Sequence, residues 1–158
     1  MNIKVKDVMH TGAIKKVMRS TTLRELLMMF KSFHTDPLIP VVNGNDALIG
    51  IVYPENLLDI LRPQHSKLFR NIPFVEVDKD SFDLEPSPLI GQLIIVDDIM
   101  DLHFISIGAD ETADKAYKLI RMHKKDRLAV VDSNRKFVGI VGIFDIIWRM
   151  FKEKGIVE

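Results

Sequence analysis

The chain has 158 residues, 22 Lys and Arg against 22 Asp and Glu, and a hydrophobic fraction of 47%. That is enough apolar material for one globular domain, or for two small ones sharing a core. The absence of cysteine excludes a disulfide framework, a thiolate zinc site and a cysteine nucleophile, and zero net charge argues against a nucleic-acid or anionic-membrane footprint.

No apolar run approaches the roughly 18–20 residues of a spanning helix, so no membrane insertion is expected. The first residues, Met1 to Asp7, hold no apolar core of a secretory signal. With no cysteine to oxidise, a cytoplasmic protein is the expectation.

In chain order, Asp7-Val8-Met9 comes first, followed by a short strand at Ile14–Val17. Leu23, Leu26, Leu27 and Phe30 then sit at i, i+3, i+4 and i+7, one face of an amphipathic helix capped near Thr21 and Thr22. Leu38–Val42 and Leu48–Val52 are too short for helices and predict two strands. They flank Asn43-Gly44-Asn45-Asp46, whose residue types tolerate the left-handed geometry of a tight turn. A second helix carries Leu57, Leu58 and Leu61. The stretch 62–93 holds four of the seven prolines, so no long regular element is expected there.

The same order then returns. Asp98-Ile99-Met100 repeats the first motif, and Phe104–Ile107 repeats the first strand. Ala113, Ala116, Tyr117 and Ile120 repeat the helical face, behind a cap at Asp110–Thr112. Leu128–Val131, the turn Asp132 to Arg135 and Phe137–Val141 repeat the hairpin, and Ile146, Ile147 and Met150 repeat the last helix. The chain therefore divides into repeat one (1–61), an inter-repeat segment (62–93) and repeat two with the C-terminal helix (94–158). Each repeat reads β-α-β-β-α. A unit of about 60 residues is marginal alone, so the two should pack face to face about a pseudo-two-fold axis, leaving two related clefts at their junction.

The duplicated β-α-β-β-α order resembles the cystathionine β-synthase (CBS) domain. So does Asp-hydrophobic-Met at the start of each copy, with Gly-hydrophobic-Val before its last helix. The tandem pair resembles a stand-alone Bateman module. The resemblance implies an α/β (α+β) fold of two repeats and no catalysis. It implies a regulatory module binding an adenosine-containing ligand such as AMP, ADP, ATP or S-adenosylmethionine, and a flat homodimer acting on a partner in trans. A scaffold or dimerisation module without ligand is the alternative.

The family's ligand motif runs Gly-hydrophobic-x-Ser/Thr-x-x-Asp. Repeat two reads Gly139-Ile140-Val141-Gly142-Ile143-Phe144-Asp145, keeping the Asp and replacing the hydroxyl residue by Gly142. Asp145 would take both hydroxyls of a ribose, since a carboxylate offers two acceptor oxygens. It would also stand in a first helical turn, whose free N–H groups favour phosphate. An Asp there also has a plain reading, complementing the helix dipole. The resemblance adds Ile143, Phe144, Thr11, Ala13, Ile14, Pro37 and Leu38 to this cleft, and Arg127 as a phosphate contact. In repeat one, Tyr53 and Asn56 stand where the motif has Ser/Thr and Asp. A second cleft would comprise them with His103, Phe104 and Ile105, unless Tyr53 fills the space itself. His10, His34, His65, His103 and His123 have no metal-ligand spacing, and no hydrolase, Walker or dinucleotide motif is present.

Overall fold

The computed structural model describes residues 2–29, 38–60 and 88–158. Phe30, Pro37, Leu61 and the stretch 62–87, for which the sequence raised expectations, lie outside the described residues. A single helical turn at Val5–Asp7 opens the chain, followed by α1 (Leu23–Met29), β1 (Ile39–Val42), β2 (Leu48–Val52) and α2 (Pro54–Ile60). Two more single turns, α3 (Ile90–Leu93) and α4 (Val96–Ile99), precede β3 (Ser106–Gly108), α5 (Ala113–His123), β4 (Arg127–Val131), β5 (Phe137–Gly142) and α6 (Ile143–Glu153).

The local signals explain these starts and stops. Thr22 and Glu25 cap α1 reciprocally: Glu25 N–H donates to Thr22 Oγ1 at 3.2 Å, and Thr22 N–H donates to Glu25 Oε2 at 3.2 Å. Thr112 Oγ1 accepts from Lys115 N–H and caps α5. In both hairpin turns the first residue's side chain folds back on the backbone. Asn43 Oδ1 accepts from Asn45 and Ala47, and Asp132 Oδ1 accepts from Asn134 and Lys136. The left-handed residue of each turn is its last, Asp46 (φ 61°) and Arg135 (φ 63°), rather than Gly44.

β1 and β2 pair antiparallel, as do β4 and β5, and β3 lies parallel to β4. The first strand expected in repeat one shrinks to a single parallel bridge, Val17 to Val41, and its counterpart starts at Ser106 rather than Phe104. The strands are apolar on both sides because both faces are covered. Ile39, Val41 and Val52 face the cluster holding Leu26 of α1. Leu38, Val42, Leu48 and Ile51 face the other hairpin, meeting Ala129, Phe137 and Ile140. The hairpins join tip to tip: Leu48 N–H donates to Arg135 O, and Phe137 N–H donates to Asp46 O. Those pairs exchange under the offset of 89 residues, as a two-fold requires.

The two Asp-hydrophobic-Met motifs cross over. Asp7 Oδ2 and Asp98 Oδ2 accept from Lys4 and Ile95 N–H, and each carboxylate closes a helical turn. The first turn packs into repeat two: Val5 is fully buried with Ala116, Val130 and Ile146, and His10 pairs with Ile140 of β5. The second packs into repeat one: Val96 is buried with Leu26 and Val41, and Asp101 pairs with Ile51 of β2. An ion pair marks each crossing with its charges exchanged, Lys6 with Asp110 at 2.9 Å and Arg19 with Asp97 at 3.0 Å.

Candidate functional site

The crossing brings residues from opposite ends of the chain to one cavity of about 790 Å³ at the start of α6. Asp7, Val8 and His10 come from the N-terminal segment. Asp126 and Arg127 come from the start of β4, and Gly142 to Asp145, Trp148, Arg149 and Lys152 from α6 and its cap. A second space of about 210 Å³ shares Asp126 and Arg127 and is closed by Leu38, Tyr53, Pro54 and Glu55. The segment Asp126–Arg127 thus separates two parts of one cleft between the repeats.

Asp145 is the third residue of α6, and its carboxylate is engaged on both oxygens. Oδ2 accepts the Gly142 N–H at 2.7 Å, and Oδ1 lies 2.6 Å from His10 Nε2. The plain capping role and the placement on a cavity therefore coexist. In this conformation each oxygen already accepts one hydrogen bond, which leaves one lone pair on each for a ligand. A Cβ on Gly142 would stand 3.2 Å from Asp145 Oδ2 and 3.4 Å from Arg127 Cγ. Glycine at the position of the family's hydroxyl residue leaves room for that cap and for the arginine stem.

Arg127 is half-buried, and among the described residues no hydrogen bond or ion pair engages its guanidinium. Lys152 also lines the cavity without a side-chain partner among the described residues but is exposed, whereas two other cations are engaged. Arg149 Nε donates to Glu153 at 2.9 Å, one turn along α6. Lys125 Nζ holds Glu55 at 2.7 Å and lies 3.9 Å from the centre of the Tyr53 ring. That hydrogen bond holds the Glu55 carboxyl below its usual range. On the outer wall, Phe144 and Trp148 stack with ring centres 6.2 Å apart, and both are exposed.

Five of the ten residues expected at the Asp145 cleft line the larger cavity: Arg127, Gly142, Ile143, Phe144 and Asp145. Leu38 lines the smaller space. Thr11 and Ala13 are exposed and away from both cavities, and Ile14 packs on the central cluster. Sequence reasoning did not single out Asp7, Val8, Asp126, Arg149 or Lys152 for the site, and it left His10 without a role. The spacing of Asp145, Trp148, Arg149 and Lys152 along one helical face was an available signal; the crossing of Asp7 to His10 was not.

At the second expected cleft the Tyr53 ring takes up space. Tyr53 is buried against Leu38 and Phe104. Burial, with the Asp101 charge, pushes its hydroxyl up to about 12, against a backbone hydrogen bond from Ile105. Asn56 Oδ1 accepts the Tyr53 N–H at 2.7 Å, the same cap that Asp145 makes. His103 is exposed, its N–H donating to Asp101 Oδ1. Ile105 packs at the edge of the repeat-two core. Among the described residues no three His, Asp or Glu side chains gather to hold a metal ion, and no helix is long and apolar enough to cross a membrane.

The family model for the CBS domain matches twice, at residues 5–63 and 96–152. The chain belongs to the CBS domain family. This CBS pair has no significant match among curated proteins. It superposes on protein MJ1225 from Methanocaldococcus jannaschii with a TM-score of 0.74 at 19% identity, covering 96% of this chain and 51% of that one. It therefore spans about half the length of MJ1225. CBSX2, a CBS-pair protein from Arabidopsis thaliana, gives 0.73 at 21% identity, with 98% and 99% of the two chains covered. CBSX2 in complex with AMP gives 0.68 at 21%, covering 96% and 98%. The CBS pair of MJ0100, in complex with 5′-methylthioadenosine and S-adenosyl-L-methionine, gives 0.65 at 20%, covering 98% and 99%. At these identities the likeness is one of fold: two α+β repeats facing each other.

Proposed function

We propose that this CBS pair is a regulatory module that takes one adenosine-containing ligand, AMP, ADP, ATP or S-adenosylmethionine, in the cleft at Asp145. The observation that carries the reading is half-buried Arg127, which lines the same cavity as Asp145 and whose guanidinium has no partner among the described residues. A cation without a partner at a cavity wall favours an anion there, and a planar guanidinium suits phosphate or carboxylate. CBSX2 with AMP and MJ0100 with adenosyl ligands support the ligand class. Ile143 and Phe144 would line the adenosine side, with Pro37 and Leu38 completing it from repeat one; Thr11, Ala13 and Ile14 would require the loop after His10 to close inward. The module would work as a cytoplasmic homodimer rather than an enzyme, reporting occupancy to a partner in trans.

Calorimetric titration with AMP, ADP, ATP and S-adenosylmethionine tests this. Saturable binding of any one at one site per chain supports it, and no heat and no binding with all four overturns it. The buried Tyr53 ring and the doubly engaged Asp145 favour the second reading, a scaffold module without ligand, which that negative result would select.

A further inference from the structure

Asp145 meets His10 across 135 positions of sequence, and the contact is not a by-product of the fold. The pseudo-two-fold supplies the comparison. His10 corresponds to Asp101 and Asp145 to Asn56. The backbone crossings are alike, His10 with Ile140 and Asp101 with Ile51, each a pair of N–H to carbonyl bonds. Both capping contacts are alike as well, Asp145 on Gly142 and Asn56 on Tyr53. Only the side-chain bridge differs: His10 reaches Asp145, whereas Asp101 accepts from His103 N–H. The crossing and the cap form without such a bridge in repeat one, so neither needs it in repeat two.

The bridge has a consequence for the cavity. Asp145 Oδ2 is turned back to the helix cap, which leaves Oδ1 as the oxygen a ligand would meet. An oxygen of a carboxylate has two lone pairs, and His10 occupies one. A cis-diol brings two donors and needs both. We propose that His10 is a gate on the Asp145 carboxylate, closing Oδ1 in the free protein and swinging into solvent when a diol-bearing ligand binds. His10 is free to do so, since its side chain is 65% exposed while that of Asp145 is 18%. Closure lowers apparent affinity by the fraction of molecules with the gate open. His10 acts through Asp145 and is therefore a specificity-setting residue, one that taxes only ligands using the carboxylate. This rests on the adenosine-ligand reading.

The test compares the full wild-type chain with His10→Ala, each titrated with adenosine and with dideoxyadenosine, which lacks the diol. The gate predicts that His10→Ala binds adenosine about two- to tenfold more tightly, the worth of one competing hydrogen bond. It predicts no gain for dideoxyadenosine. On saturating the wild type with adenosine, the His10 Nε2 resonance in ¹⁵N NMR should move away from its carboxylate-bonded position. An unchanged or weaker adenosine affinity in His10→Ala, or an equal gain for both probes, overturns the gate while leaving the ligand reading intact. Where adenosine binds neither chain, AMP and dideoxy-AMP are compared in the same way, and failure of AMP, ADP, ATP and S-adenosylmethionine alike overturns the ligand reading and the gate together.

Discussion

The sulfur of Met100 stands 2.7 Å from the point that a Cβ on Gly50 would occupy. Met9 stands in the same relation to Gly139, its sulfur 3.0 Å from that point. The two motifs that mark each repeat are therefore halves of one contact. The methionine of one copy lies on the glycine of the other, and each glycine is there so that a crossing segment can lie flat on the strand.

Alanine at these glycines should destabilise unequally. At Gly139 the added methyl would lie 2.6 Å from the His10 carbonyl, which the pairing with Ile140 holds in place. At Gly50 it would meet mainly the flexible end of Met100. Gly139→Ala should cost about 1–3 kcal/mol and Gly50→Ala less. Urea denaturation of the two variants checks the order, and a costlier Gly50→Ala would contradict the crossing as described.

Asp145 and Asn56 share one structural task and differ in the proposed chemical one. Removing either cap should cost about 0.5–2 kcal/mol of stability. Asp145→Ala should additionally weaken an adenosyl ligand roughly ten- to hundredfold, the loss of a hydrogen bond to a charged group. Asn56→Ala should leave affinity within about twofold, since its amide caps α2 beside the buried Tyr53 and lines neither part of the cleft at Asp145. Parallel melting curves and titrations separate the two effects.

Arg127→Ala should cost affinity in proportion to ligand charge. ATP and ADP should lose more than AMP, and adenosine should be nearly unaffected, because the guanidinium pairs with phosphate rather than with the base or sugar. An equal loss for all four would place Arg127 in the framework of the cleft instead.

Tyr53 links stability to alkaline pH. Its hydroxyl is raised to about 12 in the folded chain, by burial first and by the Asp101 charge second. The folded state therefore holds this proton more tightly than the unfolded state. The associated stability is present below about pH 10 and is lost as pH rises from there through 12, on the order of 2–3 kcal/mol in all. Tyr53→Phe should flatten that part of the stability–pH curve. An unchanged slope would contradict the burial of the hydroxyl.

The proposed homodimer would use the apolar surface of α6. Trp148, Met150 and Phe151 remain 41–46% exposed there, and Leu58 of α2 is 51% exposed, whereas Ile146 lies in the core. Trp148 and Phe151, three positions apart, share a face of α6, and exposed apolar faces mark contact surfaces. Sedimentation should show a dimer that Phe151→Glu weakens; a concentration-independent monomer near 18.1 kDa would count against it.

Much of the fold was legible because each repeat writes its elements in local code. Leu23 and Leu26, or Ala113 and Ala116, lie at helical spacing, and Thr22 and Thr112 cap as their chemistry allows. Val41 and Val130 recur at one offset beside turn formers. The short first strands were legible only in outline, since a strand reduced to Val17 leaves no period to read. Gly142 and Asp145 could be placed together from the motif, because only three positions separate the parts of a helix cap, whereas Arg127 entered through the family resemblance. What the sequence alone determined was thus the duplication, the element order and the identity of Asp145 as a first-turn carboxylate.

Tertiary structure decided which copy each segment serves. Nothing in Asp7-Val8-Met9-His10 says that it packs on β5, 130 positions away; that follows from the pseudo-two-fold, which buries Val5 and Val96 only when the segments cross. The crossing sets His10 on Asp145, and Tyr53 joins the central core because its ring, unlike a small hydroxyl residue, is large enough to pack there with Leu38 and Phe104. Local periodicity records which face of an element is apolar. Which partner covers that face depends on contacts between distant residues, and those are settled only when the whole core is packed.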